Sequence, residues 1–332
     1  VHHPMTLGQE LAALAELGAD TTITADPRGY VTTPWDMLVN QLAERSRGAA
    51  RHGSCGYGFG ETVGRGEETA FGLTLSDLAD PRLYGKLTAI RDRWAPARLA
   101  ALGMDALSGD DRALLASDAI LDSFLADCAG FLERVRIVPD AAIGAAPAVV
   151  LEGAQGLLLD QRHGAFPYVT RSNTGLANML EVAAEAGIER IDAVYATRCY
   201  LTRHGRGPMP NEGDVARSFA VDDPTNRPNP WQERLRFGEL DLAVLGGAVR
   251  RDVAKARGAR CEVVPHLAVT CLDQARGKIP FRYGDRRAWA DPPALIAAAT
   301  ATTGTHRAAA AHGPTRATAD LDPILERPRR VA

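Results

Sequence analysis

The chain has 332 residues, a formal net charge of −3 and 45% hydrophobic residues, which is enough apolar material for a sizeable core. Near-neutral charge gives no electrostatic reason to expect nucleic acid or an anionic membrane as partner, and no apolar run is long enough to span a bilayer. No signal-peptide pattern opens the chain, and its five scattered cysteines contain no Cys-x-x-Cys pair, which argues against a disulfide framework or a zinc site and fits a reducing cytoplasm.

In chain order, Val1-His2-His3-Pro4 reads as the end of a strand. Thr6 with Gln9 three residues on is a capping-box pattern, and Leu7, Leu11 and Leu14 share one helical face. The chain therefore reads as entering in the middle of a βα unit. Thr33 followed by Pro34 predicts a second helix over 33–46. A glycine-rich loop follows over 52–60, then helices over 81–94 and 110–135. The apolar run Ala148-Val149-Val150-Leu151 predicts a buried strand, and a helix is expected over 174–186. Further expected are a strand over 191–196, a glycine- and proline-rich loop and a polar, arginine-containing stretch over 222–237. A helix over 240–256 and an apolar strand over 263–272 come next. The remainder, 294–332, is alanine- and threonine-rich and weakly patterned. Strands alternating with helices predict an α/β fold, one domain over 1–332 with a mostly parallel central sheet and helices on both faces.

The predicted strand at 148–151 ends in Glu152-Gly153-Ala154-Gln155-Gly156. Open α/β sheets bind ligands at such carboxyl ends. The two glycines permit close backbone approach, and Gln155 offers a donor and an acceptor without charge. Taken alone, the turn reads as structural. Its continuation through Leu157-Leu158-Leu159-Asp160, His163-Gly164-Ala165-Phe166-Pro167-Tyr168-Val169-Thr170 and Ser172-Asn173-Thr174 closely resembles the central signature of the adenylosuccinate synthetase family.

That resemblance implies that Gln155 contacts a purine nucleotide and that Thr174 holds its phosphate near a helix amino terminus, with Asp160 and His163 supporting the loop. The series Tyr200, Thr202, Arg203, Gly205, Gly207, Pro208, Pro210, Glu212 is similar to a second family loop. The stretch over 222–237 stands where the family binds aspartate. Arginines suit a dicarboxylate through bidentate pairing, which makes Thr225, Arg227, Arg234 and Arg236 candidates, with a solvated loop the equal alternative. Val269-Thr270-Cys271-Leu272-Asp273 resembles the family's guanine-reading Leu-Thr-Lys-Leu-Asp, with Asp273 matching and Cys271 standing where a lysine is usual. Gly313-Pro314-Thr315-Arg316 resembles the motif that lies beside the same base, giving Asp273, Gly313 and Pro314 as GTP-binding candidates. The loop Gly53-Ser54-Cys55-Gly56-Tyr57-Gly58-Phe59-Gly60 keeps the glycines of a family phosphate loop, and Ser54 and Cys55 are its nucleotide-binding candidates. Ala70 and Phe71 occupy the places of family arginines, leaving Arg65 as the nearby substitute.

The family's opening Gly-Asp-Glu-Gly-Lys segment, with its catalytic aspartate, and the catalytic histidine beyond it are both expected upstream of Val1. No catalytic residue and no metal ligand are therefore assigned within this chain, and His2 and His3 read as strand end. The resemblance implies a P-loop-NTPase-related fold and a homodimeric, magnesium-dependent ligase of purine biosynthesis. Such an enzyme uses GTP to join L-aspartate to IMP, or to a related purine-like nucleotide, through a phosphorylated intermediate. The alternative is a non-catalytic purine-nucleotide-binding pseudoenzyme or truncated paralogue.

Overall fold

A computed structural model describes residues 1–19, 21–223 and 230–324. The chain divides into two compact units, Val1–Ala145 and Ala146–Ala332, where the sequence reading expects one domain.

The first unit is largely helical. Helix α1 (Pro4–Glu16) starts at Pro4 with His3 as cap, and not at a Thr6 capping box. A proline at the first helical position lacks only an amide that would be orphaned anyway and fixes φ for the helix. The Thr6 hydroxyl lies inside the first turn, 3.1 Å from His3 Nδ1. Strand β1 (Ile23–Ala25) leads to α2 (Pro34–Arg47), where Thr33 and Asp36 form the capping box. Then follow α3 (Phe59–Glu68), α4 (Leu83–Ala89), one wide π turn over Ile90–Trp94, and α5 (Ala95–Ala101). The helix expected over 110–135 is two, α6 (Gly109–Leu115) and α7 (Asp118–Arg134), because Ser117 turns out of register and caps α7 through the Ile120 amide. Strand β2 (Val135–Ile137) pairs parallel with β1. Val31, Trp35, Leu73, Leu121 and Phe124 form the centre of the core.

Buried in that core is an ion pair. Arg65 donates to both oxygens of Asp36 at 2.9 Å, with both side chains 0% exposed. Its other donors reach the carbonyls of Val31 and Phe71 at 2.8 Å, and its guanidinium lies 5.6 Å from the Trp94 ring centre. Arg65 is thus a core residue that ties α2 to α3, and not a surface substitute for the family arginines.

The second unit carries α8 (Leu176–Ala186), β3 (Arg190–Arg198), β4 (Tyr200–Arg203), β5 (Arg236–Asp241), α9 (Leu242–Val253) and β6 (Glu262–Thr270). It continues with β7 (Ile279–Tyr283), β8 (Arg286–Ala290), α10 (Pro292–Thr303), β9 (Ala308–Ala311) and β10 (Ala319–Asp320). Two four-stranded sheets result, in the orders β10-β9-β6-β3 and β4-β5-β7-β8. In the first, β3, β6 and β9 run parallel, and only β10 is antiparallel. The fold class is α/β with parallel-rich sheets, as the alternation of elements predicts.

One expectation fails in this unit. Residues 148–151 form no strand, and Val150 is 92% exposed. Apolarity marks a segment that can be buried, but a strand also needs a neighbour to take its amides and carbonyls, and none of the described residues pairs with this run. Residues 294–324, read as weakly patterned, carry most of α10 together with β9 and β10. Asp291 caps α10 through the Ala294 amide, Gly304 ends it with φ 70°, and Ala308, Ala309 and Ala310 of β9 pair parallel with β6.

Replacing Arg65 with alanine leaves the Asp36 carboxylate buried without its counter-charge. The expected loss is about 3–5 kcal/mol of unfolding free energy, read by chemical denaturation against the unchanged chain.

Candidate functional site

Parallel pairing places chemistry at one edge of the β3-β6-β9 sheet. Arg198 pairs with Thr270, and Val269 with Ala310. All three strands therefore end together, with the turns Cys271-Leu272-Asp273 and His312-Gly313-Pro314 leaving the same edge. Leu272 is the buried anchor of its turn, 4% exposed, while Asp273 is exposed with no hydrogen bond or ion pair to its carboxylate among the described residues. Gln274 accepts from the Tyr200 hydroxyl at 2.6 Å, and Arg198 pairs with Asp223 at 2.8 Å, fixing the neighbouring strand end. The structure thus brings together Asp273, Gly313 and Pro314, which are 40 residues apart in sequence. A free carboxylate at a sheet's carboxyl edge is placed to accept a pair of hydrogen bonds from a ligand.

A second cluster surrounds Thr174. The turn over 152–156 is exposed, with Gln155 held at φ 72°. It lies against α8: a Cβ on Gly153 would stand 3.3 Å from Met179 Cε and 3.7 Å from the Thr174 carbonyl. Asp160, 1% exposed, accepts from the amides of Arg162 (2.9 Å) and Thr174 (3.0 Å) and has Lys255 Nζ at 3.6 Å. Burial acts to raise the Asp160 pKa, but those two amides and Lys255 outweigh it and hold the carboxyl below its usual range. Asp252, from α9, accepts from the Leu176 amide with both oxygens (3.2 and 3.0 Å), from the Tyr195 hydroxyl (2.8 Å) and from Lys255 (2.9 Å). Burial, then the adjacent Asp252 charge, pushes the Tyr195 phenol far above its usual range. At Gly175 there is no room for a side chain, because a Cβ would lie 2.0 Å from Asp252 Oδ1.

The two carboxylates therefore occupy the backbone on either side of Gly175. What they leave over is the Thr174 hydroxyl, buried in a residue 8% exposed and without a hydrogen-bond partner among the described residues. A buried polar atom in that condition is costly unless something else satisfies it. All four oxygens of Asp160 and Asp252 already accept from amides, Lys255 or Tyr195. The pair does not fit a magnesium site, which needs open carboxylate oxygens. The roles of Asp252, Lys255 and Tyr195 escaped the sequence reading. Only the i, i+3 spacing of Asp252 and Lys255 on a predicted helix signals a pair.

In the first unit, the glycine-rich loop is held by Glu44, which is 2% exposed. Its oxygens accept from the amides of His52 (3.3 Å), Gly53 (2.7 Å) and Ser54 (3.2 Å) and from Arg47 (2.7 Å). Ser54 Oγ donates to Asn40 Oδ1 at 3.0 Å, while Cys55 is exposed. Three successive amides at the start of the glycine-rich loop thus already hold a carboxylate of the protein itself. Burial would raise the Glu44 pKa, but the Gly53 amide, Arg47 and the other two amides overcome it and the net shift is downward.

Among the aspartate-binding candidates, Thr225 and Arg227 lie outside the described residues. Arg234 is exposed. Arg236 pairs with Glu212 through Nε at 2.7 Å and through a second, shorter bond from Nη2, and its Nη1 donates to the carbonyls of Gly205 (3.1 Å) and Gly207 (2.9 Å). It is the clasp of the 205–212 loop.

Comparison with known proteins gives the family. The family model described as adenylosuccinate synthetase matches residues 1–273. The chain belongs to the adenylosuccinate synthetase family. It is similar to the adenylosuccinate synthetases of Synechococcus elongatus (33% identical over 287 residues) and Thermosynechococcus vestitus (35% over 289), each match covering 81% of this chain and 58% of the relative. For the Mycobacterium tuberculosis enzyme the figures are 31% over 217 residues, 63% and 48%. The chain thus spans less than two thirds of the length of these relatives. In fold it is similar to the fully ligated adenylosuccinate synthetase from Plasmodium falciparum, with a TM-score of 0.62 at 15% identity, over 96% of this chain and 82% of that one.

Two outcomes are expected here. Glu44→Gln lowers unfolding free energy at pH 7 by about 1–3 kcal/mol. Because the folded pKa lies below the usual 4.5, the stabilisation is complete above that value and is lost as pH falls through the folded pKa. Denaturation curves of the two proteins should therefore converge in acid. Thr174→Val removes an unsatisfied hydroxyl and is expected to leave the ligand-free protein as stable or more stable, in contrast to Gly175→Ala, which overpacks against Asp252 and costs about 1–3 kcal/mol.

Proposed function

We propose that this chain forms the nucleotide-binding part of a GTP-dependent ligase of the adenylosuccinate synthetase type, joining L-aspartate to IMP or a related purine-like nucleotide. The observation that carries this reading is the meeting of Asp273 with Gly313 and Pro314 at the sheet edge. There the free carboxylate accepts from guanine N1–H and the exocyclic amine, a donor pair that adenine lacks. Gly313 and Pro314 flank the base. In the second cluster the Thr174 hydroxyl donates to a phosphate oxygen of the purine nucleotide, which satisfies the atom that the ligand-free chain leaves unpaired, and the outward-held Gln155 meets the purine. Ser54 and Cys55 contribute from the glycine-rich loop through their side chains, its amides being engaged by Glu44. Thr225, Arg227 and Arg234 receive the aspartate carboxylates, while Arg236 clasps the 205–212 loop. Magnesium is an expectation of the family, and the Asp160–Asp252 pair does not supply its seat. The active form is a homodimer, again on family grounds. Among the described residues no helix is long and apolar enough to cross a membrane, in keeping with work in the cytoplasm. The filled loop amides and the committed Arg236 favour a second reading, a nucleotide-binding pseudoenzyme.

Calorimetric titration with GTP and ATP tests the carrying observation. GTP is expected to bind more tightly than ATP, and Asp273→Ala is expected to weaken GTP by roughly 10- to 150-fold, the worth of hydrogen bonds to a charged acceptor, without moving ATP. Equal affinities for the two nucleotides would refute the guanine reading. Phosphate release with IMP, aspartate, GTP and magnesium separates ligase from pseudoenzyme.

A further inference from the structure

Two of the five cysteines meet at the same sheet edge. The β3–β6 register ends at Arg198 opposite Thr270. The Cys199 amide then donates to the Thr270 carbonyl at 3.0 Å, so the next rung sets Cys199 opposite Cys271. Neighbouring strands lie about 4.8 Å apart, inside the roughly 4.4–6.8 Å Cα separation that a disulfide spans. The Cys199 thiol donates to the Cys271 carbonyl at 3.1 Å, so it already lies over the residue that carries the other sulfur. Cys271 holds φ 60°, a conformation uncommon outside glycine, as the chain turns from β6 towards Asp273. The two thiols also differ in access: Cys199 is buried and Cys271 half-buried. The other cysteines are placed otherwise. Cys261 precedes the opposite end of β6, Cys128 is buried in α7, and Cys55 is in the glycine-rich loop.

We propose that Cys199 and Cys271 form a reversible disulfide, a modification site that ties the ends of β3 and β6 beside Asp273. The oxidant is a low-molecular-weight disulfide, RS–SR. The Cys271 thiolate attacks one of its sulfurs, the RS–SR bond breaks, and the departing thiolate takes up the proton that Cys271 released. The Cys199 sulfur then attacks the Cys271 sulfur of the mixed disulfide, expelling the second RS group, which leaves with the Cys199 proton. Two protein thiols become one disulfide and the oxidant becomes two RSH. Burial pushes the Cys199 thiol up to about 12, which makes this second exchange the slower one. Its effect on nucleotide binding rests on the guanine reading above, because Cys271 lies two residues before Asp273. The bond itself does not.

The test treats the chain with oxidised glutathione, alkylates the remaining thiols and digests with trypsin. Cys199 heads peptide 199–203, and Cys271 lies in peptide 261–276 together with Cys261. The expected product is a link between these two peptides that reduction dissolves, with fragment ions placing it at Cys271 and showing Cys261 alkylated. Cys199→Ser is expected to stop the reaction at glutathione on Cys271. A link through Cys261, a mixed disulfide on Cys271 that persists in the unaltered chain, or both cysteines remaining free overturns the proposal. GTP titration of the oxidised chain is expected to show at least fivefold weaker binding, restored by dithiothreitol. A mapped Cys199–Cys271 bond in a chain that binds no GTP in either form supports the modification site and removes the nucleotide reading instead.

Discussion

The edge that gathers Asp273, Gly313 and Pro314 depends on the parallel pairing of β3 with β6. Nine consecutive rungs, from Arg190 opposite Glu262 to Arg198 opposite Thr270, fix the register over the full length of both strands. A slip of one residue would turn Leu267 and Val269, both 0% exposed, to the other face. Because the strands are parallel, their ends coincide, and β9 joins them in the same sense. Turns that are remote in sequence thereby share one edge, which is why open α/β sheets carry ligands there.

A second constraint runs through the molecule: carboxylates of the protein sit on backbone amides that a sequence pattern offers to anions. Glu44 holds three successive amides of the glycine-rich loop, Asp160 the Thr174 amide, and Asp252 the first amide of α8. Each is buried and each is compensated, by Arg47, Lys255 or the Tyr195 hydroxyl. Such bonds set loop shape before any ligand arrives and leave ligand contact to side chains such as the Thr174 hydroxyl, which has no partner among the described residues. Preorganisation of this kind lowers the ordering cost of binding.

Much of this was legible in the sequence. Capping residues located α2, and apolar runs located β3 and β6, because those signals are local. The ordered motifs nominated Asp273, Thr174 and Gln155 as candidates through resemblance. Residues 148–151 misled, since apolarity does not report whether a neighbouring strand exists. In the alanine-rich stretch after Ala294, Asp291 and Gly304 specify a helix that composition does not reveal. Arg65 and Arg236 looked like ligand cations because guanidinium chemistry is the same whether the partner carboxylate belongs to a substrate or to the protein. Only the fold shows Asp36 and Glu212 beside them. Asp252 and Lys255 carried almost no signal, their partners lying 57 to 95 residues away.

The most direct test of the shared sheet edge is amide hydrogen exchange of the chain with and without GTP, with ATP as control. GTP is predicted to slow exchange in 271–275 and 312–316 together, with ATP leaving both unchanged. Protection of one segment without the other, or equal protection by ATP, would contradict the account.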